Sequence, residues 1–279
     1  MGAMDSATRP LGATDRPALD RLLAEAGLPA AYARDHLRVH GLQAAGARAV
    51  GTPGAGDAAV AAALVADEGI AWAFWRTPAQ AAALGTALPD LGSNLLSGPR
   101  DLVAPLLAHL PPRGVGGVDR CPFERLAPAD LSLPPAPHTP APRRATPADM
   151  EPLIDFYIRG FYSLAQLPTR AAWRTRLQEQ LESRTLFLIE HDGIVVSAAQ
   201  SSAEAGDVAM IGGVATVPAY RNRGFSARCV AALCSALFAG GVREIGLFYL
   251  PANLPAARVY RKLGFRPAGE WWLQRLTYW

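Results

Sequence analysis

Between Pro128 and Pro147 the chain reads PADLSLPPAPHTPAPRRATP, seven prolines in twenty residues. Each proline lacks a backbone donor and holds φ near −65°, so the segment favours extended, polyproline-like geometry over helix or ladder. The 279-residue chain is therefore expected to fold as two bodies joined by a semi-rigid connector. The expected division is an N-terminal lobe at 1–130, a linker at 131–142 and a C-terminal domain at 143–279. Charge follows the division. Up to Pro142 there are eleven basic and thirteen acidic residues; beyond it there are sixteen and eleven. A basic second half favours an anionic ligand. No dense Lys/Arg run marks a nucleic-acid binder, and Lys262 is the sole lysine.

The remaining bulk features exclude more than they assign. Half the residues are apolar, as in soluble globular chains. Cys121, Cys229 and Cys234 are too few for a disulfide framework. Cys229 and Cys234, five apart on an expected helix, point about 140° apart around its axis. They read as small buried hydrophobes, and no metal site is expected. The longest apolar run, Ala58–Ala66, is half a bilayer span, and no signal-peptide core precedes it. The expectation is a cytoplasmic protein with no membrane or nucleic-acid partner, monomeric or homodimeric.

The first lobe reads as an α+β mixture. Helices are expected over Pro17–Ala26, Ala30–Gly41 and Asp101–Leu110, and strands over Gly69–Trp75 and Cys121–Leu126. Ala58–Val65 fits a strand or a buried helix. His36, His40 and His109 read as surface or packing residues. The second half is clearer. Thr146-Pro147-Ala148-Asp149 is a helix start, with a cap hydroxyl, a proline at the first position and a nearby carboxylate. That helix should reach about Arg159. A second, after Pro168, carries Trp173, Leu177 and Leu181 on one face. Strands follow at Thr185–Glu190, Ile194–Ser201 and Val208–Thr216, with His191-Asp192-Gly193 as a hairpin turn. Helix Ser226–Phe238, strand Glu244–Leu250, helix Leu254–Leu263 and a strand-rich tail, Phe265–Trp279, close the order. The fold class is mixed α/β (α+β), a mixed sheet with helices on its faces.

The segment that carries chemistry is Gly212–Ser226, GGVATVPAYRNRGFS. Pro218 ends a strand because it cannot donate a ladder bond. Gly224 lets the backbone approach a ligand. Amides at Arg223–Ser226 then lie unpaired in a first helical turn, where they and the helix dipole hold anions, and Arg221 and Arg223 add charge. The segment is neither a P-loop nor a dinucleotide fingerprint. These residues describe a phosphate or pyrophosphate cradle; the plainer alternative is a strand–helix turn with solvent-facing arginines.

GVATVPAYRNRGFS, followed by NLPAARVYRKLGF at Asn253–Phe265, resembles the acetyl-CoA-binding core of the GCN5-related N-acyltransferase (GNAT) superfamily. The family loop [Gln/Arg]-x-x-Gly-x-[Gly/Ala] is matched by Arg221-x-x-Gly224-x-Ser226, with serine in place of glycine or alanine at the sixth position. The resemblance covers about 143–279. Ser93–Arg100, ahead of a helix, is similar to the reduced first halves of two-lobed members, so the smaller first lobe is expected to be a degenerate GNAT-like half. The resemblance implies that acetyl-CoA or another short acyl-CoA is the cosubstrate. Its pyrophosphate would lie on Arg221, Asn222, Arg223, Gly224, Phe225 and Ser226, and its pantetheine beside Val214, Ala215 and Thr216. Asn253 and Ala256 join the expected cofactor contacts, with helix capping the alternative for Asn253.

Tyr260 matches a tyrosine that, in many relatives, protonates the leaving thiolate. A phenol keeps its proton near neutral pH and can donate it as the thiolate forms; the alternative is an aromatic packed on the sheet. No general base is assigned. Asp207, Glu190, His191 and Glu204 border the relevant turns. The implied activity is direct acyl transfer to an amine of a small-molecule acceptor, catalysed by an acyl-CoA-dependent N-acyltransferase. The alternative is a non-catalytic acyl-CoA sensor or scaffold.

Overall fold

Alternation of apolar strands with capped amphipathic helices places the elements of the computed structural model, which describes residues 8–42, 48–52, 61–66, 68–111, 114–135, 140–160 and 169–277. The strands are β1 (Arg9–Pro10), β2 (Arg48–Thr52), β3 (Ala61–Val65), β4 (Ile70–Phe74), β5 (Leu95–Pro99), β6 (Val115–Leu126), β7 (Arg143–Arg144), β8 (Leu186–His191), β9 (Ile194–Ala205), β10 (Val208–Thr216), β11 (Glu244–Phe248) and β12 (Arg266–Leu276). The helices are α1 (Arg16–Ala26), α2 (Ala31–Val39), α3 (Pro78–Ala87), α4 (Arg100–Leu107), α5 (Met150–Gly160), α6 (Arg170–Ser183), α7 (Phe225–Ala239) and α8 (Leu254–Lys262). Ala58–Val65 resolves as strand from Ala61; residues 58–60 lie outside the described set, as do 136–139 of the linker.

Contacts group the chain into two units. One comprises Met1–Phe123, Phe248–Ala252 and Ala268–Trp279; the other comprises Glu124–Leu247 and Asn253–Pro267. Relative to a division at 143–279, the second unit gains Glu124–Pro142, while Phe248–Ala252 and the last strand go to the first. β12 pairs antiparallel with β5, Trp271 opposite Pro99 through Arg275 opposite Leu95. Trp271 is wholly buried, donates from Nε1 to Ser97 Oγ at 2.9 Å, and stacks on Phe248 at 5.2 Å. The C-terminal strand thus completes the first unit's sheet, ordered β1-β2-β3-β4-β5-β12-β6. Four strands and helices here, β1, β2, α3 and β5, were not announced by periodicity. The signal for α3 is Thr77-Pro78-x-Gln80, a capping box with proline at the first helical position.

In the second unit the order is β11-β10-β9-β8-β7. Leu153, Ile154, Phe156 and Tyr157 of α5 pack with Trp173 and Leu177 of α6 over Leu186, Leu188, Val195 and Ala198. Asp192 (φ 53°) and Gly193 (φ 74°) turn the β8–β9 hairpin, two positive φ values in succession that match the twist of the flanking strands. Cys229 and Cys234 are fully buried on α7, and burial pushes both thiols up to about 12. Neither is suited to act as a nucleophile at neutral pH.

The same device precedes the first α-helix of each unit. Arg9 grips Asp15 with two nitrogens while Asp15 accepts the Gly12 amide at 2.8 Å. Arg143 grips Asp149 likewise, at 2.9 and 2.6 Å, and Asp149 accepts the Thr146 amide at 2.8 Å. Arginine, turn residue and aspartate stand three apart in both, on a two-residue edge strand leading into the first helix. The arginine hydrogen bonds hold each carboxyl at about 2, well below the usual range. A depressed folded pKa stabilises the fold above the unfolded aspartate's pKa, and that stability is lost as pH falls from about 4 through 2. We expect Asp149→Asn to cost about 1–2 kcal/mol at pH 6, discounted because Arg143 is half exposed, and almost nothing at pH 2. Urea unfolding of both proteins across that range measures it; a pH-independent difference would rule out an electrostatic clasp.

Candidate active site

β10 carries the site because its two neighbours treat it differently. With β11 it pairs in parallel only at Val208–Met210, against Glu244–Gly246. With β9 it stays paired to Thr216, opposite Ser197. Among the described residues, the last six positions of β10 have no ladder on the β11 side. Residues 212–217 are accordingly half-buried rather than buried. A bulge accompanies the parting: between Gly212↔Gln200 and Ala215↔Ala198, two residues of β10 face one of β9. Gly213 sits there at φ +58°, a conformation that favours glycine. Gly213 escaped the sequence reading, although two glycines inside a strand are themselves a bulge signal.

The strand ends as expected at Pro218. Pro218–Tyr220 form a single 3-10 turn, Asn222 takes φ +63°, and Gly224 caps α7 at φ +78°. The first helical bond joins the Arg228 amide to Gly224 O at 3.2 Å. That leaves the amides of Arg223, Gly224, Phe225, Ser226 and Ala227 without a backbone acceptor among the described residues. A Cβ built on Gly224 meets nothing within 4 Å. The space in front of the helix end is therefore open to a ligand, and the unpaired amides and positive dipole end favour an anion there.

Side chains around the loop hold its shape. Arg221 donates from Nε to Thr216 O at 3.2 Å, and the Arg223 guanidinium lies 5.1 Å from the Tyr220 ring. His191, in the β8–β9 turn, packs edge-on against Tyr220 at 5.7 Å and beside Phe225 at 5.9 Å. Val214, Ala215 and Thr216 lie on the parted stretch of β10, and the Ser197 hydroxyl donates to Ala215 O at 3.0 Å. Asn253 caps α8: its Oδ1 accepts the Ala256 amide at 3.2 Å. The capping alternative is thus realised, and it occupies the Ala256 donor. Tyr260 is buried on α8 and packs edge-on against Phe265 at 5.7 Å.

The four acid–base candidates are scattered. Glu204 accepts from the Thr185 amide and the Ser201 hydroxyl. Asp207 stands before β10, at the end away from the loop, where its carbonyl accepts the Arg243 amide at 2.7 Å. Glu190 pairs with Arg143 at 3.3 Å. Of the four, His191 touches the loop. Among the described residues no cluster of His, Cys, Asp or Glu could hold a metal ion, and no helix is long and apolar enough to cross a membrane.

Residues 151–265 match the model of the acetyltransferase (GNAT) family. A GCN5-related N-acetyltransferase from Sphaerobacter thermophilus superposes with a TM-score of 0.65 at 20% identity, covering 97% of this chain and 94% of that one. The chain carries a two-lobed GNAT fold. A GCN5-related N-acetyltransferase from Kribbella flavida (TM-score 0.58, 23% identity, 95% and 96% covered) and a tandem GNAT protein from the clavulanic acid biosynthesis pathway (0.65, 13%, 97% and 97%) share it. No curated protein matches the sequence significantly.

The two lobes differ at the helix that follows the strand paired in parallel. In the first lobe β4 also pairs in parallel with its neighbour, Ile70 and Ala71 against Leu95 and Leu96 of β5. There, however, α3 closes its own N-terminus. Thr77 Oγ1 accepts the Gln80 amide at 3.3 Å, and Gln80 Oε1 accepts the amides of Arg76 and Thr77 at 2.9 and 3.2 Å. Three amides at this helix start, those of Arg76, Thr77 and Gln80, are thus spent within α3 itself, and Pro78 has none.

Proposed function

We propose that the protein is an acyl-CoA-dependent N-acyltransferase, acetylating an amine of a small-molecule acceptor through a site in its second GNAT lobe. The open N-terminus of α7, beside a strand parted from its parallel neighbour, carries this reading. A diphosphate fits the unpaired amides from Arg223 to Ala227, with Arg221 and Arg223 beside it. The exposed edge of Val214–Thr216 offers backbone groups to an extended, amide-bearing pantetheine arm, as one strand pairs with another.

The chemistry is direct transfer. A neutral amine attacks the thioester carbonyl, forming the N–C bond, and the C–S bond then breaks. Tyr260 gives its phenolic proton to the departing sulfur and regains one from the proton shed by the amine, relayed through solvent. A β10 amide at Val214, next to the bulge, would stabilise the transient oxyanion.

Gly224→Val tests the placement. The β-branched side chain occupies the open space before the helix, while left-handed strain at φ +78° costs about 1–2 kcal/mol. We expect a folded variant whose acetyl-CoA affinity, by calorimetry, falls by more than about tenfold. Wild type should bind one acetyl-CoA per chain, because α3 spends the amides of Arg76, Thr77 and Gln80 on its own cap. Unchanged affinity in folded Gly224→Val, or two molecules bound per wild-type chain, would contradict the assignment.

A further inference from the structure

Behind the bulge of β10 lies a buried amide that the mechanism above does not use. Gln200 is 8% exposed and stands on β9 opposite Gly212. A Cβ on Gly213 would fall 2.9 Å from Gln200 Cγ and 3.0 Å from its Cδ and Nε2. The Gln200 side chain therefore lies directly against the bare Cα of the bulge. Its other end faces α5, where Tyr157 Oη donates to Gln200 Oε1 at 3.5 Å, the long limit of a hydrogen bond. Tyr157 is 2% exposed and held by stacking on Trp173, ring centroids 5.0 Å apart and 9° from parallel, and by Phe156 edge-on at 5.1 Å.

A glutamine is an expensive way to fill such a space. Burying its amide is unfavourable unless the polar atoms are used, and methionine offers similar length without that penalty. What methionine lacks is an acceptor that Tyr157 can hold. The same bulge turns β10 at the point where its ladder with β11 has ended, three residues past Met210. A bulge bends its strand and re-aims the groups that follow. Here the group is the backbone of Val214; Ala215 turns its carbonyl toward β9, where it accepts the Ser197 hydroxyl at 3.0 Å.

We propose that Gln200, held by Tyr157, is a positioning residue for acyl transfer: seated on Gly213, it sets the angle at which the Val214 amide faces the thioester carbonyl. The inference rests on the acyltransferase reading. It concerns the orientation of the carbonyl and leaves the pyrophosphate contacts untouched.

The test needs no acceptor. Full-length wild type, Gln200→Met, Tyr157→Phe and the double variant are each loaded with acetyl-CoA carrying ¹³C at the thioester carbonyl. Isotope-edited infrared spectroscopy reads the carbonyl band, and calorimetry reads the affinity. Wild type should show a single band lowered from its position in water, because fixed donors polarise the carbonyl. Both single variants should lose most of that lowering while keeping their dissociation constants within about threefold of wild type. The double variant should be no worse than either single one, since the two groups act through one contact. A lowered band unchanged in Gln200→Met and Tyr157→Phe, with acetyl-CoA bound, overturns the positioning role and leaves the acyltransferase reading standing. Wild type that binds no acetyl-CoA overturns that reading and this inference with it.

Discussion

Tyr260→Phe is expected to lower kcat for amine acetylation by about 10²–10⁴-fold, the usual worth of a positioned general acid, without weakening acetyl-CoA binding. The substitution removes one oxygen. The ring, its edge-on contact with Phe265 and the end of α8 stay in place, where the Tyr260 carbonyl accepts the amides of Leu263 and Phe265 at 3.0 and 3.1 Å. Rates compared at saturating acetyl-CoA, between about pH 6 and 9, separate chemistry from binding. The loss should be smallest where solvent reaches the thiolate. A variant that turns over at the wild-type rate throughout would make Tyr260 a packing residue. If wild type binds acetyl-CoA tightly yet acetylates no amine in a broad panel, the sensor reading replaces the enzyme.

Removing Trp271 is expected to cost about 3–5 kcal/mol, the range for truncating a large buried aromatic. That is a substantial part of the total stability of an ordinary domain. The ring is fully buried, donates to Ser97, and touches Phe123 at 5.2 Å, Phe248 at 5.2 Å and Tyr32 at 5.9 Å, all within the first unit. Urea unfolding of Trp271→Ala, followed by near-UV circular dichroism, should show the loss in the packing signal of that unit. The same ladder predicts the behaviour of a fragment spanning 143–279. It would retain β12 without β5, exposing an unpaired strand that bears Trp271, Trp272 and Leu276, and such edges associate. We expect it to aggregate. A soluble, monomeric fragment with wild-type acetyl-CoA affinity would show that β12 is dispensable to the second unit and that the linker is a true boundary.

The contrast between these two experiments follows how each feature is encoded. The turn from β10 into α7 was legible because all its determinants fall within fifteen consecutive residues. Val217-Pro218 stops a strand, Gly224 supplies a left-handed cap, and the unpaired amides follow from starting any helix. The position of Tyr260, in the last turn of α8, was legible in the same local way, as was the capping of α8 by Asn253. The matching clasps at Arg9–Asp15 and Arg143–Asp149 were also written at short range, in a spacing whose meaning became visible once both were seen closed. Other features had no local signature. Strand β12 could have paired with any open edge, and its union with β5 was decided by burial of Trp271 among aromatics drawn from α2, β6 and β11. Likewise, Gln200 and Gly213 are thirteen residues apart, and only the register of β9 against β10, with its bulge, brings the amide onto the glycine. Backbone preferences and caps act over a few residues and can be read along the chain; strand partners and bulge contacts are chosen by which distant surfaces bury together, so they emerged only when the chain had folded.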